Sequence, residues 1–211
     1  MTDRWSAHAQ AYHESDAHTA GADLDLIVDW AEGETALDVA SGGGHVARRL
    51  RDAGFDVVTV DPSPGMQADV LSTADELPFA DGSFDVVATR IAPHHFADVP
   101  AAMREMARVA RRLVVVVDNL NRGEEVEEAE RLRDPTHVRN YSEAEWRALF
   151  DEAGLDVEAL DVIEATIELE PWLARADCRG EEAQRVCALV RELIADGRLS
   201  MTRIAIKGRK R

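Results

Sequence analysis

Short runs of β-branched and apolar residues alternate along the chain with segments whose apolar positions recur at helical spacing. That pattern predicts a parallel sheet covered by helices on both faces. The runs are Thr35 to Val39, Asp56 to Val60, Phe84 to Thr89 and Leu113 to Val117. The last reads Leu-Val-Val-Val-Val, a strand expected to be buried on both sides. Leu24, Ile27, Val28 and Ala31 mark an amphipathic leading helix. His45 to Ala53 forms a second helix stopped by Gly54, and Asp98 caps a third, with Pro100 in its first turn, that runs to about Val109. Ser142-Glu143-Ala144-Glu145 is a capping box opening a helix that Gly154 ends. The charged stretch Asn119 to Arg133 is expected as a solvated helix or lid. A strand from about Val157 to Ile163, a helix from Glu181 to Asp196 closed by Gly197, and a final strand from Met201 to Lys207 complete the prediction.

A length of 211 residues suits one domain, here expected over 1–211. Within it, 1–33 reads as an N-terminal lid and helix, 34–118 as a ligand-binding half, and 119–211 as a substrate-side and C-terminal half. The 24 Lys and Arg against 41 Asp and Glu give a net charge of −17, and such a field repels nucleic acid and anionic membrane surfaces. Lys207 and Lys210 are the only lysines, and this lopsided acidity also suits a salt-rich interior. Cys178 and Cys187, nine residues apart on what reads as one helix, are expected as free thiols of a cytoplasmic protein. No signal-peptide core is visible in the polar stretch from Met1 to Ala20. The expected oligomeric state is monomer or homodimer.

The most informative segment is Leu37-Asp38-Val39-Ala40-Ser41-Gly42-Gly43-Gly44-His45, a glycine turn between a predicted strand and a predicted helix. Glycines there let backbone approach a ligand and accept positive φ. Gly42-x-Gly44-x-x-Ala47 also fits a loose dinucleotide fingerprint, so a nicotinamide-dependent oxidoreductase is a reading to weigh. Asp38 argues against it, because a carboxylate at that strand end repels a pyrophosphate and suits a ligand bearing an ammonium group. S-adenosylmethionine carries an ammonium and a sulfonium. Asp61, seventeen residues past Gly44 at the next strand end, is placed to accept hydrogen bonds from ribose hydroxyls.

In these residues the chain resembles the class I S-adenosylmethionine-dependent methyltransferases of the ubiquinone/menaquinone-biosynthesis type (methyltransferase type 11). The likeness rests on Leu37 to Gly44, Val60-Asp61-Pro62-Ser63-Pro64-Gly65-Met66, Ala74-Asp75-Glu76-Leu77-Pro78-Phe79, Asp81-Gly82-Ser83-Phe84-Asp85 and Arg90-Ile91-Ala92-Pro93-His94-His95-Phe96. Arg133-Asp134-Pro135-Thr136-His137-Val138-Arg139, Tyr141-Ser142 and Trp146 look like the same group's later segment. The resemblance implies an α/β, doubly wound, Rossmann-like sheet, mostly parallel, with an antiparallel C-terminal strand. It implies a cofactor, S-adenosylmethionine, with S-adenosylhomocysteine as product, and a small-molecule methyl acceptor. Asp38 with the backbone of Ala40, Ser41, Gly42 and Gly44 would hold the methionine moiety, and Asp61 and Pro62 would lie at the ribose. Met66 would pack on the adenine, with Thr73 and Ala74 at its amino edge, and Arg90 would lie beside the methionine end.

Two departures from the group stand out. Only twelve residues separate Asp61 from Ala74, too few for a full crossover helix and strand, so the third strand and its preceding helix are expected to be reduced. Thr73 stands where an Asp or Asn is common, with Asp75 a possible substitute. A cofactor-binding protein without turnover is therefore a second alternative. For the chemistry, His94 and His95 follow the fourth strand at its carboxyl end, where either would be placed to take a proton from a nucleophile. Tyr12 and His18 in the leading segment, and His137 and Arg139 in a polar loop, are candidate substrate contacts; structural pairing with nearby acids is the competing reading for the last two. Trp172 after Pro171, with Arg175, lines either the substrate side or a core. No metal site is expected.

Overall fold

The computed structural model describes Trp5, Ser6, Ala9 and residues 21–211. Helix α1 (Ala22–Trp30) is followed by β1 (Thr35–Val39), α2 (His45–Asp52), β2 (Asp56–Asp61), a two-residue β3 (Val70–Leu71), β4 (Phe84–Arg90), α3 (Val99–Val109) and β5 (Ala110–Asn119). Then come α4 (Glu124–Arg133), α5 (Glu143–Glu152), β6 (Leu155–Glu168), α6 (Leu169–Arg175), α7 (Gly180–Leu189), β7 (Ile194–Ala195) and β8 (Arg198–Lys210). One sheet runs β3-β2-β1-β4-β5-β8-β6, with β7 paired to β8. Its first five strands are parallel, and β8 is antiparallel to both β5 and β6. This is the helix-covered parallel sheet that the sequence pattern predicts, with the antiparallel end that the resemblance implies.

The period-2 alternation of the strands sorts their side chains onto two faces. Leu37, Val87, Val114, Val116 and Ile206 pack with Met103 and Met106 of α3 and with Trp146 and Phe150 of α5. Ala36, Val86, Leu113, Val115 and Val117 pack on the other face with Leu24 and Ile27 of α1 and Leu50 of α2. Every residue from Leu113 to Val117 is fully buried, as expected of a strand sandwiched between two layers. Caps set the helix entries: Asp98 accepts from the Ala101 amide at 2.8 Å, and Ser142 and Glu145 form the reciprocal capping box.

The crossover between β2 and β3 is a single 3-10 turn at Pro64–Met66, and β3 pairs with β2 only through Val70 and Leu71. The shortened segment thus keeps its strand and loses its helix. Three expectations need correction. The strands at the end are longer than predicted, because β6 and β8 form a hairpin-like ladder from Leu155–Lys210 to Glu168–Arg198. The last helix stops at Leu189, and the residues up to Gly197 go to a 3-10 turn and β7. The cysteines do not share a helix, since Cys178 precedes α7 and Cys187 lies on it; both are free thiols.

The charged stretch after β5 is not simply solvated. Helix α4 buries Glu127, Ala129, Glu130 and Arg133, and joins Trp172, Leu173, Val186 and Leu199 in a third apolar cluster. Arg133 lies 4.6 Å over the Trp172 ring and donates to the Trp172 carbonyl at 3.2 Å, so Trp172 belongs to this core.

Candidate functional site

The carboxyl ends of β1, β2 and β4 open onto a cavity of about 400 Å³. That edge is where parallel α/β sheets hold ligands. Its floor is Asp38, the backbone from Ala40 to Gly43, and His45 and Val46 of α2. Two non-glycine residues on its rim have left-handed backbone, Ala40 with φ 55° and Ile91 with φ 52°. A β-branched residue there is strained by about 1–3 kcal/mol. The Ile91 amide is held by the Val117 carbonyl at 2.8 Å, so β5 keeps the turn after β4 in this shape.

Gly42 sits at φ 49°, and a Cβ built there meets no atom within 4 Å. Its bare backbone faces open cavity. Gly44 does not reach the wall; at φ 71° it caps α2. Asp38 is 1% exposed and its Oδ2 accepts the Ala47 amide of α2 at 3.0 Å. Burial, reinforced by Asp61 and opposed by that hydrogen bond, pushes its carboxyl up to about 7. Asp61 accepts the Gly42 amide at 3.0 Å through Oδ2 and the Ser63 amide at 2.9 Å through Oδ1. It therefore ties the glycine loop to the tip of β2.

Pro62, Met66, Thr73, Ala74 and Asp75 continue the wall from Asp61. Opposite them stand Arg90, Ile91, Ala92, His95 and Phe96, with Trp5 against His95 at a ring distance of 4.7 Å. Ser6 beside Trp5 accepts the Gly65 amide at 2.7 Å. Gly65 is required for that approach, since a Cβ would stand 2.5 Å from the Ser6 Cα. Arg90 donates through Nε to Asp23 of α1 at 2.7 Å, and Arg203 of β8 donates to the same Asp23 oxygen at 3.0 Å. All three side chains are nearly buried. Burial acts to raise the Asp23 carboxyl, but the two guanidiniums hold it below its usual range.

The two expected histidines divide. His95 is on the cavity wall, its Nδ1 3.1 Å from Thr136 Oγ1. His94 lies behind it, off the wall, with Nδ1 in a hydrogen bond to Asp118 Oδ1 at 2.5 Å. Burial lowers both imidazoles to about 3, helped by His137 at His94 and by His94 at His95. Both are neutral near pH 7, and burial pushes Asp118 up to about 7. His137 stacks 5.5 Å from His94 and bonds Glu127 through Nε2 at 3.2 Å, while Arg139 pairs with Glu145 and covers the Tyr141 ring at 4.3 Å. Neither His137 nor Arg139 lines the cavity. Tyr12 and His18 lie outside the described residues.

Residues 37–117 match the family profile of a methyltransferase domain. An uncharacterized methyltransferase of Bacillus subtilis, YcgJ, is 31% identical over 207 residues, covering 86% of this chain and 82% of that protein. The chain belongs to the methyltransferase family. The crystal structure of YcgJ superposes with a TM-score of 0.80 at 29% identity, covering 90% of this methyltransferase and 98% of that chain. A demethylmenaquinone methyltransferase of Beutenbergia cavernae is 42% identical over 96 residues, 39% of this chain and 40% of that one. Family membership sets aside the nicotinamide-enzyme alternative. Among the described residues, no helix of this methyltransferase is long and apolar enough to cross a membrane.

Several wall residues of the methyltransferase escape sequence reading: Trp5, His45, Ile91, Phe96 and Ala102. Trp5 carries a faint signal, a large aromatic in a polar leader. Ile91 carries none, because its left-handed turn is imposed by β5.

Proposed function

We propose that this methyltransferase moves the methyl group of S-adenosylmethionine to a small-molecule acceptor. The observation that carries the reading is the charge of the cavity. Asp38, Asp61, Asp75 and Asp98 line it against one guanidinium among the described residues, Arg90, itself shared with Asp23. Such a lining favours an ammonium and a sulfonium and disfavours a diphosphate. A volume of about 400 Å³ is within the ~300–1,000 Å³ of small-molecule sites.

The residues present fit the cofactor from end to end. Asp38 and the backbone from Ala40 to Gly43 would hold the amino-acid end, with Arg90 beside its carboxylate. Asp61 would face the ribose hydroxyls, Met66 would offer an apolar surface to the adenine, and Thr73, Ala74 and Asp75 would form the polar edge. When bound, the cofactor supplies an electrophilic methyl group on sulfonium. The protein's share is placement: the strained turn at Ile91 and the Trp5–His95–Phe96 wall bound the space where an acceptor with an apolar body would meet that methyl in line.

Calorimetric titration with S-adenosylhomocysteine tests the reading. One site per chain in the wild type, weakened at least tenfold in D38N, is expected. No binding, or equal binding in both proteins, would remove the proposal. Turnover on a panel of hydroxyl, amine and thiol acceptors then separates an enzyme from a binder without activity.

A further inference from the structure

We infer that Asp134 and Thr136 fix His95 as the Nδ1–H tautomer, presenting Nε2 to an O–H or N–H nucleophile of the methyl acceptor. Asp134 and Thr136 are positioning residues, and the inference rests on the methyl-transfer reading above. Asp134 Oδ1 accepts both the Thr136 hydroxyl at 2.7 Å and the Thr136 amide at 3.0 Å. A hydroxyl has one proton, so with that proton turned to Asp134 the Thr136 oxygen can only accept from His95 Nδ1, 3.1 Å away. A neutral imidazole also has one proton, which leaves Nε2 as a lone pair on a residue of the cavity wall.

The direction of the relay depends on Asp134 being an anion. Burial alone would raise its carboxyl, but the Thr136 hydroxyl and amide, together with Arg133, hold it below the usual range. The loop is itself locked to the histidine turn, because the Val138 and Arg139 amides donate to the His94 carbonyl at 2.8 and 3.3 Å. Two segments more than 40 residues apart are thereby joined into one unit.

In the step assisted, the acceptor's oxygen or nitrogen forms a bond to the methyl carbon as the methyl–sulfur bond breaks, its electron pair staying on sulfur. The proton of the nucleophile passes to His95 Nε2, and the imidazolium charge then faces Asp134 through Thr136. Since burial holds the free imidazole near 3, transfer occurs late, when the forming bond has made that proton acidic.

Two-bond proton–nitrogen NMR of the full chain labelled with ¹⁵N-histidine, assigned through H95Q, reads the tautomer directly. The expected wild-type signature is a protonated Nδ1 and a pyridine-like Nε2. T136V removes the hydroxyl and should shift His95 toward the Nε2–H form, and T136S should restore it. A wild-type His95 with Nε2–H, or an unchanged tautomer in T136V, would overturn the inference. The wild-type spectrum decides even if T136V does not fold. S-adenosylhomocysteine affinity should be unchanged in T136V, so loss of cofactor binding in the wild type would count against methyl transfer and not against the relay. With an active acceptor, T136V should lose about ten- to a hundredfold in kcat, with KM for the cofactor unchanged.

Discussion

On one side of the cavity, Asp38, the loop from Ala40 to Gly43 and Asp61 lie within one β-α-β stretch, and their hydrogen bonds close over 9 and 19 residues. On the other side, His95 depends on Thr136 at 41 residues and His94 on Asp118 at 24. The first side is made mostly of backbone amides and glycine, shaped by a local turn. The second is a buried network of side chains drawn from three separate segments, and its members rely on each other for hydrogen bonds. A local cradle survives small changes elsewhere, whereas a network of this kind loses its function when any one partner is removed.

The largest expected effect lies at the buried Asp23–Arg90–Arg203 cluster, whose Arg90 lines the cavity. Asp23→Ala removes the carboxylate shared by the buried Arg90 and Arg203 and should cost about 3–5 kcal/mol in urea denaturation. A loss under ~1 kcal/mol would mean that water reaches the guanidiniums. Next, on the cradle side, Asp38→Asn should weaken S-adenosylhomocysteine by about ten- to a hundredfold, the worth of a charged hydrogen bond.

The cradle should also respond to pH. A carboxyl held at about 7 is neutral in mild acid, so affinity for an ammonium-bearing ligand should rise from pH 6 to 8 and level off above. In D38N the profile should be flat. The same group affects the apo protein with the opposite sign. Because the folded pKa is raised, the stability Asp38 contributes in acid is lost as pH climbs through about 7. Apo D38N should therefore exceed the wild type at pH 8 by ~1 kcal/mol or more and lose that advantage toward pH 4. A constant difference between the two would refute the burial of an ionisable Asp38.

The smallest effect is expected at Arg139, whose pair with Glu145 is nearly half exposed on both sides. Arg139→Ala should cost under ~1 kcal/mol and leave cofactor affinity alone. If the KM of an acceptor instead rose more than tenfold, Arg139 would have to be counted as a substrate contact, and the acceptor side would extend beyond the cavity wall.

Much of the cradle was legible because its signals are local. Glycines, a strand-end acid and a strand-turn-helix order stand next to one another in the chain, so Asp38, Gly42 and Asp61 could be named from spacing. The shortened crossover was equally readable, since eight residues between β2 and β3 leave no room for a helix. On the other side, His94 and His95 read as equivalent neighbours. Which one faces the cavity follows from the 3-10 turn at Pro93–His95 and from what lies behind it.

The order of strands and helices, the two-faced burial of Leu113 to Val117 and the acid-and-glycine cradle were determined by the sequence itself, because each is a matter of period or short-range backbone geometry. Only the tertiary structure decided that Glu127 and Arg133 are buried rather than solvated, that Trp5 closes on His95, and that Thr136 meets the same ring. Those contacts pair polar groups across distant segments. A buried donor finds its acceptor only once the chain has packed, so no spacing along the sequence records the match.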